Sequence, residues 1–372
     1  MATLAATTAF AQSSVTISGQ LDTGLSSIKL GNGATQEQMA SGIHGASRLR
    51  FVGTEDMGGG NKANFSLEMQ PNFQTGAVGA ELFNRGAWLG LQGGWGELRL
   101  GRQGTNTIGA ICTIDQLGCY SGVSGGGILF SGQSGPGTSQ GGWMLANPTR
   151  GGLQASSTTA SAADGTRYVK AIRYSLPAFV KGLSINATMA YGTVPASVTG
   201  GTQPAATASN VSAGGNSSGV DATYVNGPLA VVFATQKADA TAGANQKGEL
   251  TTLGATYNLG MVKLGAGVQQ EKASGTGVLF TKGESYALTA TIPLGAFTPY
   301  IKVGEHKYSG GTNTTTNIYN GTNAKMSNVG VRYAMSKRTF VYADVVSNGA
   351  VPALATATTS KQQLSAGINH SF

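Results

Sequence analysis

The chain has 372 residues, of which 11% are charged and 40% are hydrophobic, and its formal net charge is +8. A soluble domain typically carries about 25% charged residues. The mean hydropathy of -0.04 excludes a bundle of membrane helices, and after the first residues no apolar run approaches the roughly 18 residues that a spanning helix needs. Basic residues are scattered along the chain, which excludes a nucleic-acid-binding tract. This composition suits a β-barrel between lipid and water, or a polar, partly disordered secreted chain.

Residues 1–11 resemble the end of a secretory leader. Ala9-Phe10-Ala11 fits a small-x-small cleavage site, so we expect a mature chain of one domain at 12–372. A basic segment ahead of the apolar one is missing, which indicates a truncated leader or a misassigned start; an ordinary disordered N-terminus is the alternative. Export would place the cysteines of the chain in an oxidising compartment.

Short segments of alternating polarity begin at Ser14. The first runs to Ser26, and a polar loop is expected from there to about Gly45. The run RLRFV at 48–52 then places two arginines on one face and Leu and Phe on the other. After the turn EDMGGGN the alternation resumes in ANFSLEM. Period 2 on both sides of a glycine turn predicts an antiparallel hairpin.

The later connections alternate strictly in length. Short turns read VNGPL, NLGM, PLGAF and MSKR, whereas long polar loops occupy 193–219, 238–249, 271–283, 307–324 and 347–360. A sandwich gives no reason for this alternation, but outer-membrane barrels have short periplasmic turns and long external loops. Counting the runs gives about sixteen strands, an even number in the range of such barrels. The sequence therefore predicts an all-β fold, a 16-stranded antiparallel transmembrane β-barrel.

Two further features bear on this barrel. The segment 104–165 has little alternation and is rich in Gly and Ser, and a loop of that length is usually functional or disordered.

The last strand ends at Phe372. Because a sheet in lipid can have no open edge, we expect this strand to close the barrel by pairing with the strand that begins near Ser14.

The chain resembles the general trimeric porins of Gram-negative bacteria, in the branch of Burkholderia, Comamonas and Neisseria. The resemblance rests on SSVTISGQLDTGL, SRLRFVGTEDMGGGNKANFSLE, FNRGAWLGL, GWGELRLGRQ, VGVRYAMSKRTFVYAD and the terminal GINHSF. It implies a sixteen-stranded barrel, a homotrimer, and a third loop folded into the pore. It also implies that the outer-membrane assembly machinery reads Phe372. The third loop departs from the family in its length and in its two cysteines.

The arginines carry the functional prediction. An arginine facing lipid at mid-membrane costs roughly 2–4 kcal/mol, so the lumen is the favoured location; scattered solvated charge lining a wide pore is the alternative. In the resembling porins, arginines matching Arg48, Arg85 and Arg167 line the constriction. Strict alternation from Arg85 would turn Leu89 and Leu91 inward, so either a bulge intervenes or the match fails there. The predicted constriction set is Arg48, Arg50, Arg85, Arg99, Arg167, Arg173 and, as the acidic group from the third loop, Asp115.

Cys112 and Cys119 have six residues between them, within the predicted third loop. We expect a disulfide that stiffens the loop, since the periplasm is oxidising. Two free thiols are the alternative.

No enzymatic or metal chemistry is predicted. His44, His306 and His370 lie apart and show no metal-ligand spacing. The glycine runs lack the Lys-Ser/Thr of a phosphate loop, so we expect no cofactor and no metal. We predict a passive diffusion channel for small anionic or neutral hydrophilic solutes that prefers anions, surrounded by outer-membrane lipid and lipopolysaccharide. A surface-exposed adhesion or ligand-binding β protein without a transport role is the alternative.

Overall fold

The computed structural model describes residues 14–78, 82–115, 167–191, 214–240, 246–274, 282–310, 323–348 and 360–372. Strands make up most of these ranges, which also contain the helix α1 (Asn106–Ile114). No helix within them is long and apolar enough to cross a membrane. The leader at 1–11 lies outside the described residues and stays a prediction.

The strands form one antiparallel sheet. They are β1 (Ser14–Leu30), β2 (Thr35–Ser41), β3 (Arg48–Gly58), β4 (Asn61–Met69), β5 (Gly86–Gly93), β6 (Gly96–Gly104), β7 (Arg167–Ser175), β8 (Leu183–Ala190), β9 (Gly214–Asn226), β10 (Leu229–Ala240), β11 (Gln246–Asn258), β12 (Lys263–Ser274), β13 (Lys282–Thr291), β14 (Phe297–Ser309), β15 (Asn323–Ala334), β16 (Thr339–Asn348) and β17 (Ser360–Ser371). The predicted short turns are present between β9 and β10, β11 and β12, β13 and β14, and β15 and β16.

The sheet closes on itself through its first and last strands. β17 pairs antiparallel with β1, and the backbone N–H of Phe372 donates to the carbonyl of Gly19 at 3.1 Å. A β-carbon at Gly19 would collide with the Phe372 ring, so the glycine leaves room for the terminal side chain. β2 and β3 both pair with β1, each along one half of its length. The two strands together therefore occupy one of the sixteen strand positions of the barrel. The closed sixteen-stranded barrel is confirmed.

The presence of strand β2 corrects one prediction. The polar loop expected from Ser26 to about Gly45 is wrong for 27–30, which belong to β1, and for Thr35–Ser41, which is a strand of its own. Its sequence, TQEQMAS, has little apolar alternation, but backbone pairing with β1 requires none. The chain then turns inward at Gly42, which has a φ of 74°. The segment that follows, 43–47, is almost entirely buried.

This inward segment is held by Asp22 of β1, a fully buried residue. Its carboxylate accepts hydrogen bonds from the backbone N–H of His44 at 3.1 Å, the Tyr342 hydroxyl at 3.0 Å and the Asn369 amide at 2.8 Å. The His44 ring lies against Tyr342, with ring centroids 5.0 Å apart. These contacts tie the inward segment to β1, β16 and β17, the strands at the closure.

Helix α1 packs against the inner face of the wall. Its isoleucines form an apolar cluster with side chains of β10, β11 and β13. A β-carbon at Gly254 would overlap the Ile114 side chain, so the helix sits close to β11. The helix begins the predicted third loop, and the rest of that loop, at 116–166, lies outside the described residues.

The outer face of the wall is apolar. Along β13 the side chains alternate between exposed and buried. The exposed positions of β11, β12 and β13 carry large apolar residues such as Leu253, Tyr257, Val268 and Leu288. Monomeric soluble proteins rarely expose contiguous apolar patches larger than a few hundred Å². The outer band therefore faces lipid, and the buried positions face the lumen.

Candidate pore constriction

The six predicted arginines lie on one side of the barrel, on or beside β3 to β7, and we call this region the arginine wall. Arg48 and Arg50 belong to β3, where they oppose Gln20 and Ser18 of β1. The alternate positions of β1, Val15 and Ile17, are exposed on the outer face. The two β3 arginines therefore point into the lumen, as alternation predicted.

Glu68 of β4 is the centre of one half of the arginine wall. Its carboxylate accepts from Arg85 Nε at 2.6 Å, and its second oxygen lies 3.9 Å from Arg50 Nε. Arg85 also donates to Gln70 at 2.8 Å, and Arg50 donates to Ser66 at 3.1 Å. The constriction set predicted from the sequence does not include Glu68. The signal that could have found it is the hairpin register, in which Glu68 is directly opposite Arg50.

Arg85 does not follow the alternation of β5, because it precedes the first residue of that strand. Its backbone N–H donates to the Glu68 carbonyl at 3.1 Å, and its side chain is buried. Leu89 and Leu91 are 61% and 47% exposed, so they face outward. Arg167 Nε donates to the Arg85 carbonyl at 2.6 Å. An inward Arg85 is thus compatible with outward leucines, and no bulge within β5 is required.

Arg99 and Arg173 form the other half of the arginine wall, directly opposite each other on β6 and β7. Like charges at such positions destabilise a sheet. Each has an acidic neighbour: Arg99 lies 2.6 Å from Glu97, and Arg173 lies 3.8 Å from Asp221. The Arg99 guanidinium also stacks 4.3 Å above the Trp88 ring. These neighbours reduce the repulsion between the two arginines.

Asp115 is separate from the arginine wall. It follows the last residue of α1 and accepts a hydrogen bond from Lys302 Nζ of β14 at 2.8 Å; both side chains are almost completely buried. In the sixteen-strand ring β14 lies opposite β6. The structure thus places Asp115 across the lumen from the arginines, where its ion pair fastens the end of α1 to the barrel.

The charges of the arginine wall do not balance. Within the described ranges, the six arginines contact the carboxylates of Glu68, Glu97 and Asp221, so basic groups outnumber these acidic ones on this side. When the charges that line a cleft have one sign, its low-dielectric walls focus the electric field and concentrate counter-ions. The lumen between α1 and the arginine wall is therefore a positively charged passage.

The remaining predicted site residues are only partly described. Cys112 lies on α1 and is not a free thiol; Cys119 lies outside the described residues, and the pairing of the two stays a prediction. Phe372 lies at the barrel closure and is 40% exposed. No group of three or more His, Cys, Asp or Glu side chains in the described ranges could hold a metal ion.

A closed barrel with an apolar outer band and a charged, helix-narrowed lumen defines a transmembrane β-barrel channel. The chain belongs to the Gram-negative porin family, whose model matches residues 1–349. It is 30% identical over 349 residues to the outer membrane porin protein 32 of Delftia acidovorans, covering 93% of this chain and 87% of that protein. It is also 31% identical over 129 residues to a major outer membrane protein P.IB of Neisseria meningitidis serogroup B, covering 33% and 38% of the two chains.

Solved structures agree with this assignment. The anion-selective porin from Comamonas acidovorans matches with a TM-score of 0.71 and 25% identity, over 97% of this chain and 100% of that one. OmpT of Vibrio cholerae, in its trimer form, matches with a TM-score of 0.64 and 13% identity, over 97% and 99% of the two chains, and shows the same fold. The predicted family, channel function and outer-membrane location are confirmed.

Proposed function

We propose that this porin forms a homotrimeric, water-filled channel for small hydrophilic solutes and prefers anions because of the arginine wall. The clustering of six arginines on one side of the lumen carries the proposal. Solutes would be anionic or neutral, and passage needs no cofactor, since pore diameter and lining charge set the selectivity. Family membership favours this function over a surface adhesion protein without transport.

The expected strength of the preference follows from simple electrostatics. Two unit charges 4 Å apart interact by about 1 kcal/mol in bulk water and by about 4 kcal/mol at an effective dielectric constant of 20. In a narrow pore, the interaction energy of two such charges lies between these two values. Because about 1.4 kcal/mol corresponds to a factor of ten, several arginines acting together can favour an anion over a cation roughly tenfold.

Other parts of the proposal rest on separate observations. The homotrimer rests on the trimer form of Vibrio cholerae OmpT. Asp115 would act by holding α1 in the lumen through Lys302, rather than by facing the arginines. Recognition of Phe372 by the outer-membrane assembly machinery, and a surrounding of outer-membrane lipid and lipopolysaccharide, belong to the same proposal.

The test is the reversal potential in planar bilayers under a potassium chloride gradient. We expect anion preference in the wild type, and a shift toward cations in the double variant Arg48→Ser/Arg167→Ser. Arg338→Ser is the matched control, because Arg338 is exposed in the short turn between β15 and β16 and should leave the potential unchanged. The preference should also weaken at high salt, as the Debye length falls from about 10 Å at 0.1 M to about 3 Å at 1 M. An unchanged potential in the double variant would refute the role of these arginines.

A further inference from the structure

A tryptophan lies within the arginine wall, on the lumen side of β5. Leu89 and Leu91 of this strand are exposed on the outer face. Because successive side chains of a strand point to opposite faces, Trp88 between them and the start of the strand points into the lumen. Trp88 is only partly buried, so its indole ring remains accessible to a solute in the passage.

The positions around Trp88 carry small side chains or none. Along β5 the next inward positions on either side are Gly86 and Gly90. The direct cross-strand partners of Trp88, which share its face of the sheet, are Ser66 of β4 and Gly101 of β6. A β-carbon at Gly90 would lie 3.5 Å from the Trp88 ring, so the indole extends over this glycine. None of these four positions places a large side chain between the indole and the lumen.

Two guanidinium groups flank the indole. That of Arg99 lies 4.3 Å from the centroid of the Trp88 ring, within the range of about 6 Å for a cation–π contact. On the other side, Arg50 Nε donates to Ser66 Oγ at 3.1 Å, and Ser66 is the cross-strand partner of Trp88. An aromatic ring and two positive charges are thus neighbours on the lumen surface. We call Trp88, Arg50 and Arg99 the aromatic subsite.

Arg50 retains capacity for a further partner. Its side chain is 44% exposed, and its Nε lies 3.9 Å from the Glu68 carboxylate. That carboxylate is closer to Arg85, at 2.6 Å. Because a guanidinium has more N–H groups than these contacts use, Arg50 can donate to the carboxylate of a solute without leaving the wall.

We propose that the aromatic subsite binds planar aromatic carboxylates, with the carboxylate on Arg50 and the ring of the solute against the stacked Trp88 and Arg99. The inference rests on the proposed channel function and names a class of solute for it. Aromatic rings attract one another in offset-stacked and edge-to-face arrangements, and guanidinium planes also stack on aromatic faces. A saturated carboxylate of equal charge can form the ion pair but not the stack. The aromatic subsite therefore distinguishes between anions of the same charge.

The test compares two carboxylates as blockers of chloride current through the full-length porin in planar bilayers. Benzoate and cyclohexanecarboxylate carry the same charge at neutral pH and are similar in size, but only benzoate has an aromatic ring. We expect benzoate to halve the chloride current of the wild type at a roughly fivefold lower concentration, which is the order of the contribution of an aromatic pair.

Three variants separate the ring from the charge. Trp88→Leu should abolish the advantage of benzoate and leave the block by cyclohexanecarboxylate unchanged, whereas Trp88→Phe should retain most of the advantage. Arg50→Gln should weaken both blockers by a similar factor, because it removes the ion pair and keeps the ring.

The matched control is Trp95→Leu, which should behave as the wild type does. Trp95 lies in the short turn between β5 and β6 and stacks on Tyr174, with ring centroids 6.4 Å apart. Heat-modifiable migration verifies that all variants are folded.

Three results would overturn the proposal. The first is equal block of the wild type by the two carboxylates, and the second is an unchanged advantage of benzoate in Trp88→Leu. The third is an equal loss in Trp95→Leu, which would indicate an effect of ring removal outside the lumen. The reversal potential under potassium chloride tests the arginine wall separately. A wild type that prefers anions but does not distinguish the two carboxylates would therefore refute the aromatic subsite and leave the proposed function intact.

Discussion

The carboxylate of Glu68 lies 2.6 Å from the Arg85 guanidinium and 3.9 Å from that of Arg50. One acidic side chain thus holds two arginines of the proposed constriction, one from a strand and one from a loop. An arrangement of this kind orients the guanidinium groups through charge-assisted hydrogen bonds, and it also lowers the net charge of the arginine wall.

Removing the Glu68 charge should strengthen the anion preference. Glu68→Gln retains a hydrogen-bond acceptor but raises the excess on the arginine wall by one positive charge, so the reversal potential should move further toward that of chloride. The matched control is Glu55→Gln, since Glu55 is exposed near the turn after β3. A shift of the Glu68 variant toward cations would contradict this account of the wall.

Truncating the chain should prevent barrel closure. Deleting 368–372 removes the pairing of Thr23 with Ile368 and the two hydrogen bonds between Gly19 and Phe372. An open sheet edge in lipid leaves backbone groups unsatisfied, at several kcal/mol each. We expect loss of heat-modifiable, protease-resistant barrels. Phe372→Tyr, which keeps the length and the ring, should still assemble, and normal assembly of the truncated chain would disprove the role of this pairing.

The predicted disulfide should affect the third loop more than the barrel. Cys112 is on α1, whose packing on the wall comes from Ile108, Ile111 and Ile114, and a short closure contributes roughly 2–3 kcal/mol at most. Mass spectrometry of non-reduced peptides should find Cys112 linked to Cys119. The double Cys→Ser variant should retain the folded barrel but show noisier single-channel currents. Complete alkylation of both thiols without reduction would exclude the disulfide.

Breaking the buried ion pair should detach the end of α1. Lys302→Met leaves the Asp115 carboxylate buried without its lysine, and loss of one partner of such a pair costs about 3–5 kcal/mol. We expect a lower unfolding temperature and a larger, noisier conductance. The double variant Lys302→Met/Asp115→Asn should recover part of the stability, which a double-mutant cycle measures. Additive effects of the two substitutions would contradict a direct interaction.

Local patterns were sufficient to predict most of the strands and their faces. In an extended chain successive side chains point to opposite faces, so the outward direction of Leu253 and the inward direction of Arg48 could be predicted from alternation alone. The number of strands followed from the same pattern and from the spacing of turns. The inward direction of Arg50, Arg99 and Arg173 could be predicted because a charged side chain in a membrane strand has one favourable face, whereas Arg85 was named from the family resemblance.

Features that depend on distant partners could not be predicted in this way. β2 is a strand because β1 supplies its backbone pairing, and α1 is placed by Val232 and Leu250, more than a hundred residues further along the chain. Arg85 points inward from a loop, where alternation does not apply. The pairing of Asp115 with Lys302 joins positions 187 residues apart.

The sequence alone thus determined which residues face lipid and which face water, because that choice is local. The tertiary structure decided which charges in the lumen meet, because closure of the barrel brings distant strands together.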